Sequence, residues 1–328
     1  MRILVTGGAG FIGSHFVRQT IRNRYPALAD AEVVVLDRLT YAGNTANLAE
    51  VADDSRFRLV AGDICDAPLV RELLDGVELV VHFAAESHVD RSITGAEEFV
   101  RTNVLGTQVL LTAAADAGVG RFVHVSTDEV YGSLDETGTP WTEAEPLRPN
   151  SPYAASKAAA ELMVLAFHRT HGFPVSITRG SNTYGPFQYP EKIIPLFVTS
   201  LLTGRQVPLY GDGRNRREWL HVDDHCQGVA LVAERGRPGA AYNVGGGTEL
   251  TNRQLTERLL ALLGADASMI RQVPDRKAHD LRYAMDCRLI TEELGYAPAV
   301  PLEHGLAETV AWYREHRSWW GAPQPAAR

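Results

Sequence analysis

Six short apolar runs, at 2–6, 32–36, 57–61, 78–83, 121–126 and 174–179, alternate with amphipathic stretches at 12–23, 68–74, 96–117 and 153–170. Apolar, β-branched segments separated by helical patterns belong to a parallel sheet covered on both faces. The expected fold class is α/β: a Rossmann-type doubly wound parallel sheet with a smaller mixed α/β C-terminal lobe. Ligands of such sheets sit outside the carboxyl ends of the strands. The residues just after each run are therefore the ones to read for function. After about residue 179 the segments shorten, and Gly, Pro and aromatics cluster in NTYGPFQYPEK, PLYGDG and YNVGGG. The expected division is a sheet domain over 1–179, to which some later segments return, a loop-rich lobe over 180–320, and a disordered tail over 321–328.

The first run leads straight into GGAGFIG, with Gly7, Gly10 and Gly13 between a strand and a helix. A glycine triplet alone says little, but strand, tight turn and helix N-terminus together predict a dinucleotide site. The backbone can then approach a pyrophosphate, whose charge the helix N-terminus favours. Asp37 follows the second run, 24 positions beyond Gly13. An acid there accepts from the adenosine ribose and repels a 2′-phosphate, so NAD is expected over NADP despite the neighbouring Arg38. Asp63 in GDICD, after the third run, is expected at the adenine edge. After the fourth, the small Ala84 and Ala85 of FAAESH allow close approach of the phosphate and nicotinamide half.

Charge and cysteine content narrow the class further. The net charge is −8. Phosphate neutralisation needs clustered Lys and Arg, so a general nucleic-acid partner is not expected. The one short basic run is Arg214, Arg216 and Arg217. Three scattered cysteines without CxxC spacing argue against a structural metal and disulfides, and suit a reducing cytoplasm. No run approaches the roughly 20 apolar residues of a membrane span.

The fifth run ends in HVSTDEVYGS, which sets Asp128 beside Glu129, with Thr127 before them and Tyr131 after. Neighbours in a strand face opposite sides, so both acids reach one ligand only if the chain leaves strand geometry at Thr127. Ser-Thr-Asp favours such a turn. Two acids sharing a site cannot both ionise cheaply, so one pKa rises. Downstream, SPYAASK places Tyr153 and Lys157 four apart on one helix face. A phenol of pKa about 10 is a poor base at neutral pH. A nearby ammonium and a cationic nicotinamide would both favour the phenolate.

Taken together, GGAGFIG, Asp37 with LTYAGN, GDI, AAESHVDRS, STDEVYG, SPYAASK, NTYGP, EKIIP and DRKAHD resemble the extended short-chain dehydrogenase/reductase family. More narrowly they resemble its nucleotide-sugar 4,6-dehydratases, and among these the enzymes acting on dTDP-glucose. The resemblance spans residues 1–320. It implies a lyase with tightly bound NAD that is regenerated in each turnover. That enzyme oxidises a hexose at C4, eliminates water between C5 and C6, and reduces C6. In this scheme Glu129 is the base at C5 and Asp128 the proton donor to the C6 oxygen. Thr127 holds the C4 oxygen, Tyr153 takes its proton, and Lys157 supports Tyr153 and the cofactor ribose.

The resemblance assigns the cofactor to Gly7, Gly10, Phe11, Ile12, Gly13, Asp37, Arg38, Leu39, Thr40, Asp63, Ile64, Phe83, Ala84, Ala85, Ser87, Thr102, Tyr153, Lys157 and Thr183. It assigns the sugar nucleotide to Ser87, Thr127, Asp128, Glu129, Asn182, Lys192, Ile193, Pro208, Leu209, Tyr210, Arg217, Asn243, Arg276 and His279. Arginine suits the diphosphate because its planar donors bind two oxygens at once. The chain departs from the family pattern at Thr183, where Asn is usual, at Gly180, where Cys is common, and at Ala278, which replaces a glycine. A homodimer is implied too, through the helices at 96–117 and 153–170.

Two other readings share these motifs. A sugar-nucleotide 4-epimerase has the glycine loop, Thr127 and Tyr153 but no use for an acid pair. A nucleotide-sensing scaffold would not need the tyrosine or the lysine. The base could be thymine, uracil, cytosine or guanine.

Overall fold

The structure is a computed structural model that describes residues 1–277 and 279–321. Ala278, and all of the expected tail but Gly321, lie outside the described residues. The six runs become strands β1 (Arg2–Thr6), β2 (Glu32–Asp37), β3 (Phe57–Ala61), β4 (Leu79–His82), β5 (Arg121–Thr127) and β6 (Val175–Gly180). Six further strands follow: β7 (Asn182–Tyr184), β8 (Val207–Tyr210), β9 (Arg216–His221), β10 (Ala241–Val244), β11 (Thr248–Thr251) and β12 (Ile270–Val273).

Seven strands form one parallel sheet in the order β10-β6-β5-β4-β1-β2-β3. The winding reverses between β1 and β4, which opens a crevice at the carboxyl ends of the strands. The strands inside the sheet are buried on both faces, with a period of two, while the edge strand β3 is half-exposed. Ile3, Val5, Val33, Val35, Val81 and Val123 point into one apolar layer with Phe16 and Val229. Leu4, Leu36, Val80 and Phe122 point into the other with Leu110 and Val164. Each fully buried aliphatic side chain contributes about 1.5–3 kcal/mol. The first layer includes helix Val222–Arg235, so that helix covers the large sheet, as β10 joins it, although both follow residue 179.

The remaining strands make a three-stranded sheet, β11-β9-β7, and a parallel pair, β12-β8. Around them helices Ile193–Leu202, Asn252–Leu263 and Leu302–Glu315 enclose Phe197, Leu255, Leu306 and Tyr313. Helix Asn252–Leu263 opens on a reciprocal Thr251–Gln254 capping box. No helix among the described residues is long and apolar enough to cross a membrane.

The stretch expected as one helix at 96–117 is interrupted. Ala96–Phe99 and Thr107–Asp116 are α-helical, and a π-helical segment, Val100–Gly106, joins them. The extra residue per turn brings Asn103 inward. Its amide accepts from the Glu86 amide (2.9 Å) and donates to the Glu86 carbonyl (3.0 Å) and to Ser156 Oγ (2.8 Å). The turn thus fastens the loop after β4 to the helix that carries Tyr153.

Candidate active site

One cleft, enclosing about 460 Å³, runs along the carboxyl ends of the strands and under the second lobe. That volume is within the range of ligand sites. Its floor is the glycine turn after β1. Gly7 has φ +70°, and a Cβ there would lie 2.5 Å from the Ala84 amide nitrogen. A Cβ on Gly13 would lie 2.3 Å from the Gly7 carbonyl oxygen. A side chain at either position would collide with backbone and force the turn open. Helix Phe11–Ile21 begins at Gly10 without a side-chain cap and without an acid in its first turn. Its free amides face the cleft, as an anion would require.

Asp37 closes one end. Its Oδ2 accepts from the Ala9 amide (2.9 Å) and its Oδ1 from the Leu39 amide (2.8 Å). Burial raises its pKa against the pull of those amides. Arg38 reaches Glu98 and lies 3.6 Å from Asp63. Its charge is met within the protein, which weakens any claim to a 2′-phosphate. Asp63 is itself held by the Cys65 amide (2.8 Å) and by Arg101 (2.9 Å). Thr40, Ile64, Phe83, Ala84, Ala85, Ser87 and Thr102 also line this end. Leu39 does not. Its backbone adopts φ +54° to turn its amide onto Asp37, and its side chain packs on the apolar layer. These features fit a dinucleotide: a small-residue cradle, a helix N-terminus and a buried acid with open lone pairs.

The acid pair sits at the centre. β5 ends at Thr127, and a 3-10 turn, Asp128–Tyr131, follows at once with Thr127 as its N-cap. Thr127 Oγ1 accepts from the Glu129 amide (3.3 Å) and donates to Asp128 Oδ1 (3.2 Å). The chain leaves strand geometry at this residue, and both acids reach the cleft. Burial, then Glu129 and Glu218, raise Asp128 well above the usual carboxyl range. Burial raises Glu129 as well, but Lys192, Arg276 and Arg217 oppose it. Asp128 is thus the better proton donor and Glu129 the better acceptor.

Tyr153 lies in the first turn of helix Pro152–His171, which Ser151 caps by accepting from the Ala154 amide (3.1 Å). Lys157 donates to the Val125 carbonyl (2.8 Å), and burial pushes its pKa down to about 8. Burial, then Glu129, raise the Tyr153 phenol, while Thr127 pulls it down. Lys157 therefore does not by itself supply the phenolate expected from the YxxxK spacing. A cationic ring beside the phenol would have to contribute.

The second lobe closes the far end with Asn182, Lys192, Ile193, Pro208, Leu209, Tyr210, Arg217, Arg276 and His279. Asn182 Oδ1 and Arg276 Nε are buried without a partner among the described residues. Lys192 donates to the Ser87 carbonyl (2.7 Å). Arg217 lies 4.2 Å above the Tyr283 ring. Cations converge here as a diphosphate requires. Asn243, expected with them, is fully buried in β10 and outside the cleft. Its side chain accepts from Tyr131 (2.7 Å) and donates to the carbonyls of Trp141 (2.9 Å) and Asp286 (3.1 Å). Both of its amide N–H groups are thus taken up within the protein.

The cleft also contains Glu86, Gln188, Tyr189, Glu191, Trp219, His225 and Tyr283, none of which sequence reasoning singled out. Only His225 left a readable signal. It is an imidazole on the apolar face of an amphipathic helix, a pattern that more often marks a core histidine.

The sequence model of the GDP-mannose 4,6 dehydratase family matches residues 4–309. The chain is 58% identical, over 320 residues, to the dTDP-glucose 4,6-dehydratase of Streptomyces niveus, covering 98% of this chain and 95% of that one. Among solved structures it is similar to the dTDP-glucose 4,6-dehydratase DesIV of Streptomyces venezuelae, which has NAD bound. That match has TM-score 0.96 and 64% identity, with 98% and 99% of the two chains covered. A UDP-glucose 4-epimerase of Thermotoga maritima shares the fold at TM-score 0.88 and 33% identity, with 96% and 99% covered.

Proposed function

This chain belongs to the GDP-mannose 4,6 dehydratase family, and within it we infer that the chain is an NAD-dependent dTDP-glucose 4,6-dehydratase, a hydro-lyase that forms dTDP-4-keto-6-deoxyglucose and water. The observation that carries this reading over a 4-epimerase is the pair Asp128–Glu129 on one turn inside the cleft. Epimerisation has no work for two carboxyl groups; elimination needs a proton acceptor and a proton donor.

When bound, NAD supplies a reversible hydride acceptor that takes up the C4 hydrogen and gives it back at C6. Asp37, the glycine turn and the amides of helix Phe11–Ile21 would hold it. Tyr153 removes the proton of the C4 hydroxyl, whose oxygen Thr127 hydrogen-bonds. The C4 ketone so formed acidifies the hydrogen on C5. Glu129, kept the more ionisable of the pair by Lys192, Arg276 and Arg217, takes that proton. Asp128, kept protonated by burial and by two neighbouring acids, donates to the departing C6 hydroxyl, which leaves as water. Arg217, Arg276 and His279 suit the diphosphate, and Pro208, Leu209 and Tyr210 suit the base.

Substrate deuterated at C4 tests the scheme. The label should appear at C6 of the product; label lost to solvent, with none at C6, would contradict internal return. Glu129→Gln should still oxidise C4 while dehydration falls by about 10²–10⁴-fold, the usual worth of general base catalysis. Undiminished dehydration in that variant would remove Glu129 from the role.

We further propose a homodimer through the outer faces of helices 96–116 and Pro152–His171, supported by exposed Val100, Leu105 and Leu162. The three free cysteines fit a reducing cytoplasm.

A further inference from the structure

Helix Val222–Arg235 carries His225 on its buried face, among Val222, Cys226 and Val229. The ring is 2% exposed and borders the cleft. Its Nδ1 lies 2.7 Å from Thr183 Oγ1. Thr183 directs its one hydroxyl proton to the Ser181 carbonyl at 3.0 Å. With Thr183 donating there, Nδ1 is the donor in the histidine–threonine bond. In that tautomer Nε2 carries a lone pair and no proton. Burial lowers the pKa to about 4, so the ring stays neutral. Nε2 is buried without a partner among the described residues. A buried acceptor left unmatched is destabilising, and a ligand donor would relieve it.

Gly180 shows how the ring comes to lie there. A Cβ at this position would fall 2.5 Å from His225 Cε1 and 2.7 Å from Nε2. The Nε2 edge therefore rests against the carboxyl end of β6. Gly180 pairs in register with Thr127, the last residue before the acid turn. On the other side, Cys226 Sγ meets the carbonyl of Ile12 in the first helical turn after the glycine loop (3.5 Å). His225 thus stands between the glycine turn and the reacting end of the cleft. A dinucleotide that starts at Asp37 and crosses the glycine turn reaches this point with its nicotinamide.

We propose that His225 is a cofactor-positioning residue whose Nε2 accepts a hydrogen bond from the carboxamide N–H of bound nicotinamide. Gly180 makes room for the imidazole and Thr183 sets its tautomer. The two departures from the family pattern at these positions thus act together. The bond fixes the rotation of the nicotinamide about its ribose, and hence the face turned toward the sugar. This inference rests on the reading that the chain binds NAD.

The test is competitive cofactor exchange on the purified holoenzyme, with NAD against 3-acetylpyridine adenine dinucleotide. In the analogue a methyl group replaces the amide NH₂, so the donor is gone. The readout is the ratio of the two dinucleotides retained, measured by mass spectrometry after denaturation. His225→Leu should lower the preference for NAD about tenfold relative to the wild type. His225→Gln, which keeps an acceptor, should restore most of it. Gly180→Ala, which displaces the ring, should shift the ratio in the same direction as His225→Leu. A ratio unchanged in both His225→Leu and Gly180→Ala would overturn the proposal. A wild-type protein that retains neither dinucleotide would instead overturn the NAD reading, and this inference with it.

Discussion

Asp128 shares a turn with Glu129, yet its surroundings differ. It is 1% exposed, its Oδ2 has no partner among the described residues, and Glu129 and Glu218 both press on it. Glu218 is fastened in place by the amides of Gly247 (2.9 Å) and Met285 (2.9 Å). The effect has a definite sign. A carboxyl whose folded pKa is raised keeps its proton where the unfolded chain has released it. Its favourable contribution is present below the unfolded value of 3.8 and is lost as pH rises through the folded value. Asp128→Asn removes the titration, so the variant should melt higher than the wild type at pH 8, by about 1–2 °C for each kcal/mol relieved. Near pH 4 the two should converge. Thermal melts across that range decide it, and a gain of equal size at both ends would refute a titration origin. The same variant should lose dehydration by about 10²–10⁴-fold. Greater stability and lost turnover in one variant would show strain held at a working site.

Elements were legible where their signal was local. Apolar, β-branched runs placed the first six strands of the sheet to within one residue at each end, and Ser-Thr-Asp announced the turn that aims the acids. The π-helical segment was not legible, because its cause lies elsewhere in the chain: Ile64 sits where a Cβ on Gly106 would be, 2.4 Å away, and Glu86 and Ser156 draw Asn103 inward. Asn243 misled for the same reason. Nothing near it in YNVGGG reveals that Tyr131, Trp141 and Asp286 take up its side chain. The wider network was also hidden. Arg179 on β6 donates to Glu161 (2.7 Å) and to Tyr131 (2.7 Å), with the pair buried. Tyr131 donates in turn to Asn243. The network braces the far side of the acid turn. Asn243→Ala should therefore lower stability by about 1–3 kcal/mol, seen as a fall in Tm, while KM for the sugar nucleotide stays within about twofold. A large rise in KM at unchanged Tm would return Asn243 to the substrate site.

At the scale of the whole molecule, the homodimer proposal rests on the outward faces of two helices. A surface helix carries polar residues away from the core. On Pro152–His171 the outward row is Ala155, Ala159, Leu162 and Ala166, with Leu162 60% exposed. On the neighbouring segment, Val100 and Leu105 are 55% and 49% exposed, and Val104 and Val109 are half-buried beside them. Small residues on one row and branched ones on the other are suited to close packing against a second copy related by a two-fold axis, where each patch meets itself or its neighbour. Apolar surface of this kind is what an interface between copies would use. The same helices carry Tyr153 and Asn103, so pairing would stiffen the scaffold under the catalytic turn. Light scattering after gel filtration should give twice the chain mass for the wild type. Leu105→Glu combined with Leu162→Glu places four like charges in the seam, two from each copy, and should yield the chain mass, with Tm lowered by several degrees and less NAD retained on dilution. A wild type at the chain mass, or a double variant that remains at twice that value, would rule out this face as the interface.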